Sequence, residues 1–377
     1  MVKDMMNQGN HILLVGNTAW SMYNFRGNLM SFLVKKGYRV SVLSPYDKEF
    51  FPLIELTGAK CYDLPLSAKG TNPIADIALT LRIRKYIKQI KPDFAFFYTI
   101  KPNIYGGFAA RMCKIPFIPV TTGLGYTFIV DNWVSKLARK LYKLSFKGAK
   151  QVWFLNEDDK NDFLKYKILP EEKTFILKGE GVDTNRFSEE VMPTEISFLL
   201  MARMLWDKGV GEYIEAARLL KKEFPEVSFN LLGFLNTDNP SAINEKQMNE
   251  WVAEGIVNYL GVTKNVVPFI ARTTALVLPS YREGIPVSLL EAASMGRILI
   301  ATNAVGCKDA VDDGVNGYLV PIKDAKSLAN AMRKVILMSY QERVTMGQAG
   351  RKKVEKEFAE EIVFGNYERI LEKFLVH

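Results

Sequence analysis

The chain has 377 residues, 48% hydrophobic and 24% charged, with a formal net charge of +9. That length suits two domains, and that apolar content excludes a disordered chain. Only two histidines, His11 and His377, and three scattered cysteines, Cys61, Cys113 and Cys307, are present, which argues against a histidine triad or a cysteine–histidine metal site and suits a reducing compartment.

The start, "MVKDMMNQGNHILLVG", lacks the apolar core and cleavage site of a signal peptide. "HILLVG" (11–16) reads as a buried strand, followed by a helix from about 25 to 36. "YRVSVLS" (38–44) is the next strand, "PIADIALTLRIRKYIKQI" (73–90) a helix and "DFAFFYT" (93–99) a strand. "PFIPVTT" (116–122), a helix near 134–147 and "QVWFLN" (151–156) continue the alternation, which predicts a parallel sheet covered on both faces. The acidic string "NEDDKND" (156–162) is read as the start of a helix rather than a metal-binding D-x-D, since acids favour helix N-termini.

Residues 177–195, "LKGEGVDTNRFSEEVMPTE", are rich in Gly, Pro and polar residues and read as a linker. A second series then starts with "ISFLLMAR" (196–203) and a helix at 209–223. "VSFNLLG" (227–233), "VVPFI" with "ALVLP", "ILIAT" (298–302) and "GYLVP" (317–321) follow, and a periodic helix closes the chain. No apolar run approaches the roughly 18 residues of a membrane span. The expected fold class is α/β: an N-terminal domain over 1–180, a C-terminal domain over 181–358, and a last helix over 359–377 returning to the first domain.

The stretch "SYREGIPVSLLEAASMG" (280–296) carries the chemistry. Pro286 fits a first helical turn, so a helix is expected from Pro286 to about Met295. The amides of Gly284, Ile285 and Val287 would then face the preceding loop, an arrangement that attracts phosphate. Glu283 lies beside that end, and Glu291 follows five residues past Pro286, about 7.5 Å along the axis. Carboxylates flanking a phosphate pocket are suited to accept hydroxyl hydrogens, as on a nucleotide sugar. A solvated surface acid and a loop charge would leave the same pattern.

"REGIPVSLLEA" resembles the E-x7-E segment of the family 4 retaining glycosyltransferases of the GT-B fold. "MARMLWDKGVGEYIEAARLL" is similar to their phosphate-binding segment and "GEGVDTNRF" to their interdomain linker. The resemblance covers nearly the whole chain and is strongest from 179 to 321. It implies two facing Rossmann-like domains with a cleft between them, acceptor on the first and nucleotide sugar on the second. It also implies that Glu283 meets the transferred sugar and Glu291 the ribose hydroxyls. Arg203 and Lys208, expected at the carboxyl edge of the second sheet, align with the family's phosphate-binding pair.

In the first domain, the loop "VGNTAWSMYNFRGN" (15–28) contains Gly16 but no G-x-G-x-x-G, so no dinucleotide fingerprint. By resemblance it approaches donor and acceptor, with Gly16 and Asn17 in the loop and Asn24 and Arg26 as acceptor-side candidates. Many family members place a histidine in this domain's cleft. The corresponding region here, "TTGLGYTF" (121–128), has none, though Gly123 and Gly125 offer backbone amides. The resemblance implies no metal and no cofactor, with the leaving phosphate taking the acceptor's proton.

"VSKLARKLYKLSFKGAK" (134–150) has six basic residues and no acid, with Val134, Leu137, Leu141 and Leu144 on one stripe. Such a helix either lies on an anionic membrane or packs its stripe on the sheet. No nucleic-acid motif accompanies the charge. "SMYNFRGNLM", "TTGLGYTF" and "DNPSAIN" look closest to bacterial transferases acting on undecaprenyl-diphosphate sugars. The expected activity is retaining transfer of a sugar, N-acetylgalactosamine or another hexose, from a UDP-sugar to a polyprenyl-diphosphate-linked saccharide. The expected place is cytoplasmic, peripheral on the inner face of the plasma membrane. A UDP-sugar 2-epimerase and a non-catalytic nucleotide-sugar-binding protein are the alternatives.

Overall fold

The computed structural model describes residues 9–66, 72–124, 133–235 and 239–375. The chain forms two compact units, Met1–Gly181 with Glu361–His377, and Val182–Glu360. The first holds β1 (His11–Val15), β2 (Arg39–Ser44), β3 (Lys60–Asp63), β4 (Phe94–Tyr98), β5 (Phe117–Thr121), β6 (Val152–Phe154) and β7 (Thr174–Ile176). Their order is β3-β2-β1-β4-β5-β6-β7, and every ladder is parallel. The second holds β8 (Ser197–Met201), β9 (Ser228–Leu232), β10 (Asn258–Tyr259), β11 (Ala275–Leu278), β12 (Ile298–Thr302) and β13 (Gly317–Val320). Their order is β10-β9-β8-β11-β12-β13, again parallel throughout.

Both sheets are covered on two faces, which is why their strands read as unbroken apolar runs. In the first unit one face buries Leu13, Val15, Ala95 and Phe97 under Ile83 and Ile87 of helix 73–90, Tyr142 and Phe146 of helix 133–146, and Phe163 of helix 157–165. The other face sets Phe96 and Trp153 against Tyr367 of the C-terminal helix, with ring centroids 4.9 and 4.8 Å apart. In the second unit Phe198, Leu200, Phe229 and Leu231 pack against Tyr213, Ile214 and Ala217 of helix 210–221 and Leu328 and Met332 of helix 325–337.

Local chemistry moves several boundaries. The first helix starts at Ala19, well before 25, because the Thr18 hydroxyl caps it by accepting the Ser21 amide at 3.1 Å. "VVPFI" contributes a short helix, Val267–Ala271, rather than a strand. Residues 102–106 form a π-helical turn that periodicity did not suggest. Asn156 caps helix Glu157–Lys165, whose first turn holds Glu157, Asp158 and Asp159, as the acidic string implied.

Helix 133–146 turns part of its apolar stripe outward. Its buried residues are Ser135, Tyr142, Ser145 and Phe146, while Trp133, Leu137 and Leu144 are 70%, 44% and 41% exposed. The stripe is thus divided: Leu141 packs against the core and Val134 is half-buried, while Leu137 and Leu144 face outward.

Arg26, expected to face an acceptor, is 2% exposed. Its guanidinium pairs with the Glu180 carboxylate, donates to the Ser21 carbonyl at 3.2 Å and lies 3.9 Å from the Tyr98 ring centre. Tyr98 in turn donates to the Tyr367 hydroxyl at 3.2 Å. This cluster ties helix 19–35, β4, the segment ending at Gly181 and the C-terminal helix together. Burial raises the Glu180 carboxyl above its usual range, and the Arg26 charge offsets part of that rise. Arg26→Ala would strand a buried carboxylate, so it should destabilise the chain by about 3–5 kcal/mol. Urea unfolding measures this; a loss below about 1 kcal/mol, the level of a surface pair, would show that the pair is not structural.

Candidate active site

The site residues of the second unit gather on loops at the carboxyl edge of its sheet, where open α/β folds bind ligands. The loop after β8 carries Arg203, whose side chain is exposed and has no hydrogen-bond or ion-pair partner among the described residues. This loop is pinned from outside the sheet. Met204 accepts from the Ile243 amide at 3.0 Å, and the Trp206 amide donates to the Ser241 carbonyl at 2.8 Å. These contacts come from residues 241–243 of "DNPSAIN", whose Asp238 lies outside the described residues.

Lys208 was expected at the carboxyl edge of the sheet, just before the helix at 209–223. It closes a 3-10 turn, Trp206–Lys208, and Gly209 follows at φ +73° before helix Val210–Lys221. A Cβ at position 209 would stand 2.2 Å from the Pro279 carbonyl oxygen, so the turn reaches the loop after β11 only because residue 209 is glycine. The Tyr281 amide then donates to the Asp207 carbonyl at 3.0 Å, and the Ser280 hydroxyl to the same oxygen at 3.2 Å.

Glu283 and Lys208 form an ion pair, with side chains 17% and 13% exposed. The Glu283 amide donates to the Val305 carbonyl at 2.9 Å. Gly306, at φ +78°, packs so closely that a Cβ would stand 2.3 Å from the Gly284 oxygen and 2.5 Å from that of Glu283. Three loops therefore fix one carboxylate and one ammonium against each other. Pro286 is a cap rather than the first helical residue: its ψ of 112° is extended, and the helix is Val287–Ser294. Ile285 and Pro286 are buried, while Gly284 and Val287 are half-buried. The first amides of this helix lack intrahelical partners, as at any helix start.

Glu291 lies inside that helix, half-buried, with apolar neighbours Leu289, Leu290, Ala292 and Ala293 along the chain. Burial pushes its carboxyl up to about 7, and the Arg186 charge lowers it only in part. A carboxyl so placed is poised to ionise when hydrogen-bond donors arrive. Cys307, buried nearby, is held protonated by its burial and by the charge of Glu283. Among the described residues no three His, Cys, Asp or Glu side chains group as a metal site.

The first unit distributes its candidates differently. Gly16 is buried, its amide donating to the Leu43 carbonyl at 3.0 Å, and a Cβ there would strike the Met22 sulfur at 2.3 Å. Asn17 is half-buried at the end of β1, its Oδ1 accepting from the Ser21 hydroxyl at 3.4 Å. Asn24 is exposed on helix 19–35 and donates to the Trp20 carbonyl at 2.9 Å. Arg26 is engaged in the core, as described. Gly123 has φ +126°, and Gly125 lies outside the described residues.

Comparison with known proteins identifies the chain's relatives. Residues 11–156 match the model "Glycosyl transferase 4-like" and residues 195–337 the model "Glycosyl transferases group 1". The chain is 30% identical over 348 residues to the N,N'-diacetylbacillosaminyl-diphospho-undecaprenol alpha-1,3-N-acetylgalactosaminyltransferase of Campylobacter jejuni, covering 87% of this chain and 89% of that one. It is 24% identical to the UDP-Gal:alpha-D-GlcNAc-diphosphoundecaprenol alpha-1,3-galactosyltransferase of Escherichia coli, over 76% of this chain and 78% of that one. Anabaena HepE in complex with UDP and glucose superimposes with a TM-score of 0.77 at 18% identity, over 96% of this chain and 98% of that one. The chain belongs to the group 1, 4-like glycosyltransferases, and its fold is that of the GT-B class.

Proposed function

We propose that this glycosyltransferase moves a hexose or N-acetylhexosamine from a UDP-sugar to a saccharide carried on polyprenyl diphosphate, with retention at the anomeric carbon. The observation that carries the reading is the Lys208–Glu283 pair, fixed by three loops at the edge of the second sheet. Similarity to two transferases named for diphospho-undecaprenol saccharides, and to a fold solved with UDP, supports the choice of substrates.

In this reading Arg203 and Lys208 hold the donor's diphosphate, and the ammonium exchanges Glu283 for phosphate oxygens. Glu283, released, accepts hydrogen bonds from hydroxyls of the transferred sugar. Glu291 accepts the ribose hydroxyls. The acceptor hydroxyl oxygen bonds to the anomeric carbon as the bond from that carbon to the phosphate oxygen breaks. The proton passes to the leaving phosphate, whose charge Arg203 and Lys208 stabilise. Unit one takes the acceptor. A UDP-sugar 2-epimerase would instead need acid and base side chains around the sugar, and a non-catalytic binder would leave the donor intact.

The two acids should separate in calorimetric titration with UDP. Glu291→Gln should weaken UDP, whereas Glu283→Gln should leave UDP affinity nearly intact while lowering transfer. The Glu291 carboxyl is neutral below about 7 and must ionise to accept two hydroxyl hydrogens, so UDP binding should release a proton. Affinity should therefore rise from pH 6 to 8, and this rise should vanish in Glu291→Gln. Equal loss of UDP affinity in both variants would contradict the division of roles.

Cationic side chains supply the charge that a metal would otherwise bring to the diphosphate. Transfer should thus continue in EDTA. Activity abolished by chelator and restored by magnesium or manganese would sink the metal-free reading.

A lipid-linked acceptor requires the enzyme to work at a membrane, on its cytoplasmic face in this reading. No helix among the described residues is long and apolar enough to cross a bilayer, so attachment would be peripheral. Helix 133–146 offers exposed Trp133, Leu137 and Leu144 beside exposed Lys136, Lys140 and Lys143, whereas Arg139 lies against the Tyr166 ring at 4.0 Å. An apolar ridge with a basic flank suits an anionic lipid surface, at about 1 kcal/mol per basic residue. Changing Lys136, Lys140 and Lys143 to Gln with Leu137→Ser should release the protein from anionic vesicles in sedimentation. Undiminished sedimentation would move the docking surface elsewhere.

A further inference from the structure

Parallel sheets open their ligand crevices where the strand order reverses. In the second sheet that point lies between β8 and β11, and the loops after those strands carry Arg203 and Glu283. In the first sheet it lies between β1 and β4. The loop after β1 brings Gly16 and Asn17. The loop after β4, "TIKP" from Thr99 to Pro102, has no role in the account above.

Its backbone is unusual twice over. Thr99 has φ +69°, a left-handed conformation that β-branched residues seldom adopt. Its carbonyl accepts the Asn103 amide at 3.0 Å, and the chain then enters the π-helical turn Pro102–Gly106. Strained residues and π-turns concentrate at functional sites. The Thr99 hydroxyl is buried without a hydrogen-bond partner among the described residues.

Lys101 stands beside it, three residues past the end of β4. Its ammonium lies 3.2 Å from one oxygen of Asp76, and the other Asp76 oxygen accepts the Tyr105 hydroxyl at 2.7 Å. The Lys101 and Asp76 side chains are 16% and 12% exposed. Asp76 sits in the first turn of helix 73–90. The ammonium is thus fixed in place against a carboxylate. The arrangement parallels Lys208 with Glu283 at the switch point of the other sheet.

We propose that Thr99 and Lys101 form a second phosphate-recognising subsite, which takes the diphosphate of the acceptor. Lys101 supplies the point charge, Thr99 a hydroxyl donor, and Asp76 with Tyr105 positions the lysine. The proposal rests on the reading that the acceptor is diphosphate-linked.

The test uses the full chain with Lys101→Gln and Lys101→Arg. Transfer is measured onto a polyprenyl-diphosphate saccharide and onto the same saccharide on a phosphate-free alkyl glycoside. Loss of one charge-assisted contact should raise KM for the diphosphate acceptor roughly 10- to 100-fold in Lys101→Gln. KM for the glycoside and for the donor should not change, and Lys101→Arg should restore most of the loss. An equal loss on both acceptors would mark a purely structural lysine, and an unchanged KM on the diphosphate acceptor would remove it from the site. Should the wild type transfer to no lipid diphosphate, the functional reading itself fails. Calorimetry with inorganic pyrophosphate, at saturating UDP to occupy the second unit, then decides the subsite. Weaker binding to Lys101→Gln supports it, and equal binding overturns it.

Discussion

Everything proposed for the second unit depends on how closely three loops approach one another at the edge of its sheet. Residues 203–209, 279–286 and 303–306 meet backbone to backbone, and the closest points fall at Gly209 and Gly306, where a Cβ would stand 2.2 to 2.3 Å from a carbonyl oxygen. That approach brings Lys208 to Glu283 although 75 residues separate them in the chain. A half-buried pair of this kind is rigid without being strongly stabilising, because desolvation offsets much of the attraction. Its value is positional: each charge holds the other in place.

The sequence made the strands plain for a physical reason. A strand covered on both faces has no polar side to alternate with, so "HILLV", "FAFFY" and "ILIAT" stand out as short apolar runs. The acids of the E-x7-E segment were equally visible, since Glu291 is the sole charge in an apolar helix. Other features were invisible to periodicity. Arg26 looked like a surface group in a polar loop, but its partner Glu180 is 154 positions away, and only the fold shows that the guanidinium is internal. The stripe of helix 133–146 had two outcomes, and the fold divides it: Ser135 and Ser145 are buried and Leu141 packs on the core, while Leu137 and Leu144 are exposed. Small hydroxyl residues on a buried face defeat a hydrophobicity argument. Thr99 and Lys101 were passed over because backbone strain and strand order leave no local signature.

The two units share one logic. Each has a parallel sheet whose order reverses once, each carries a lysine a few residues past a strand at that reversal, and each holds that lysine with a carboxylate. Family membership fixes the class of chemistry, sugar transfer on a GT-B scaffold. Glu283, paired with Lys208, and Glu291, raised by burial to about 7, show two carboxyls of one short segment in different surroundings.

The most direct measurement is the turnover of Arg203→Ala with a UDP-sugar donor and a polyprenyl-diphosphate saccharide acceptor. Arg203 is exposed, so its removal should leave the fold and melting temperature unchanged. If it stabilises the leaving diphosphate, turnover should fall roughly 100-fold, on the order of 3 kcal/mol in the barrier. A folded variant with near-normal turnover would contradict the placement of the donor diphosphate at this edge of the second sheet.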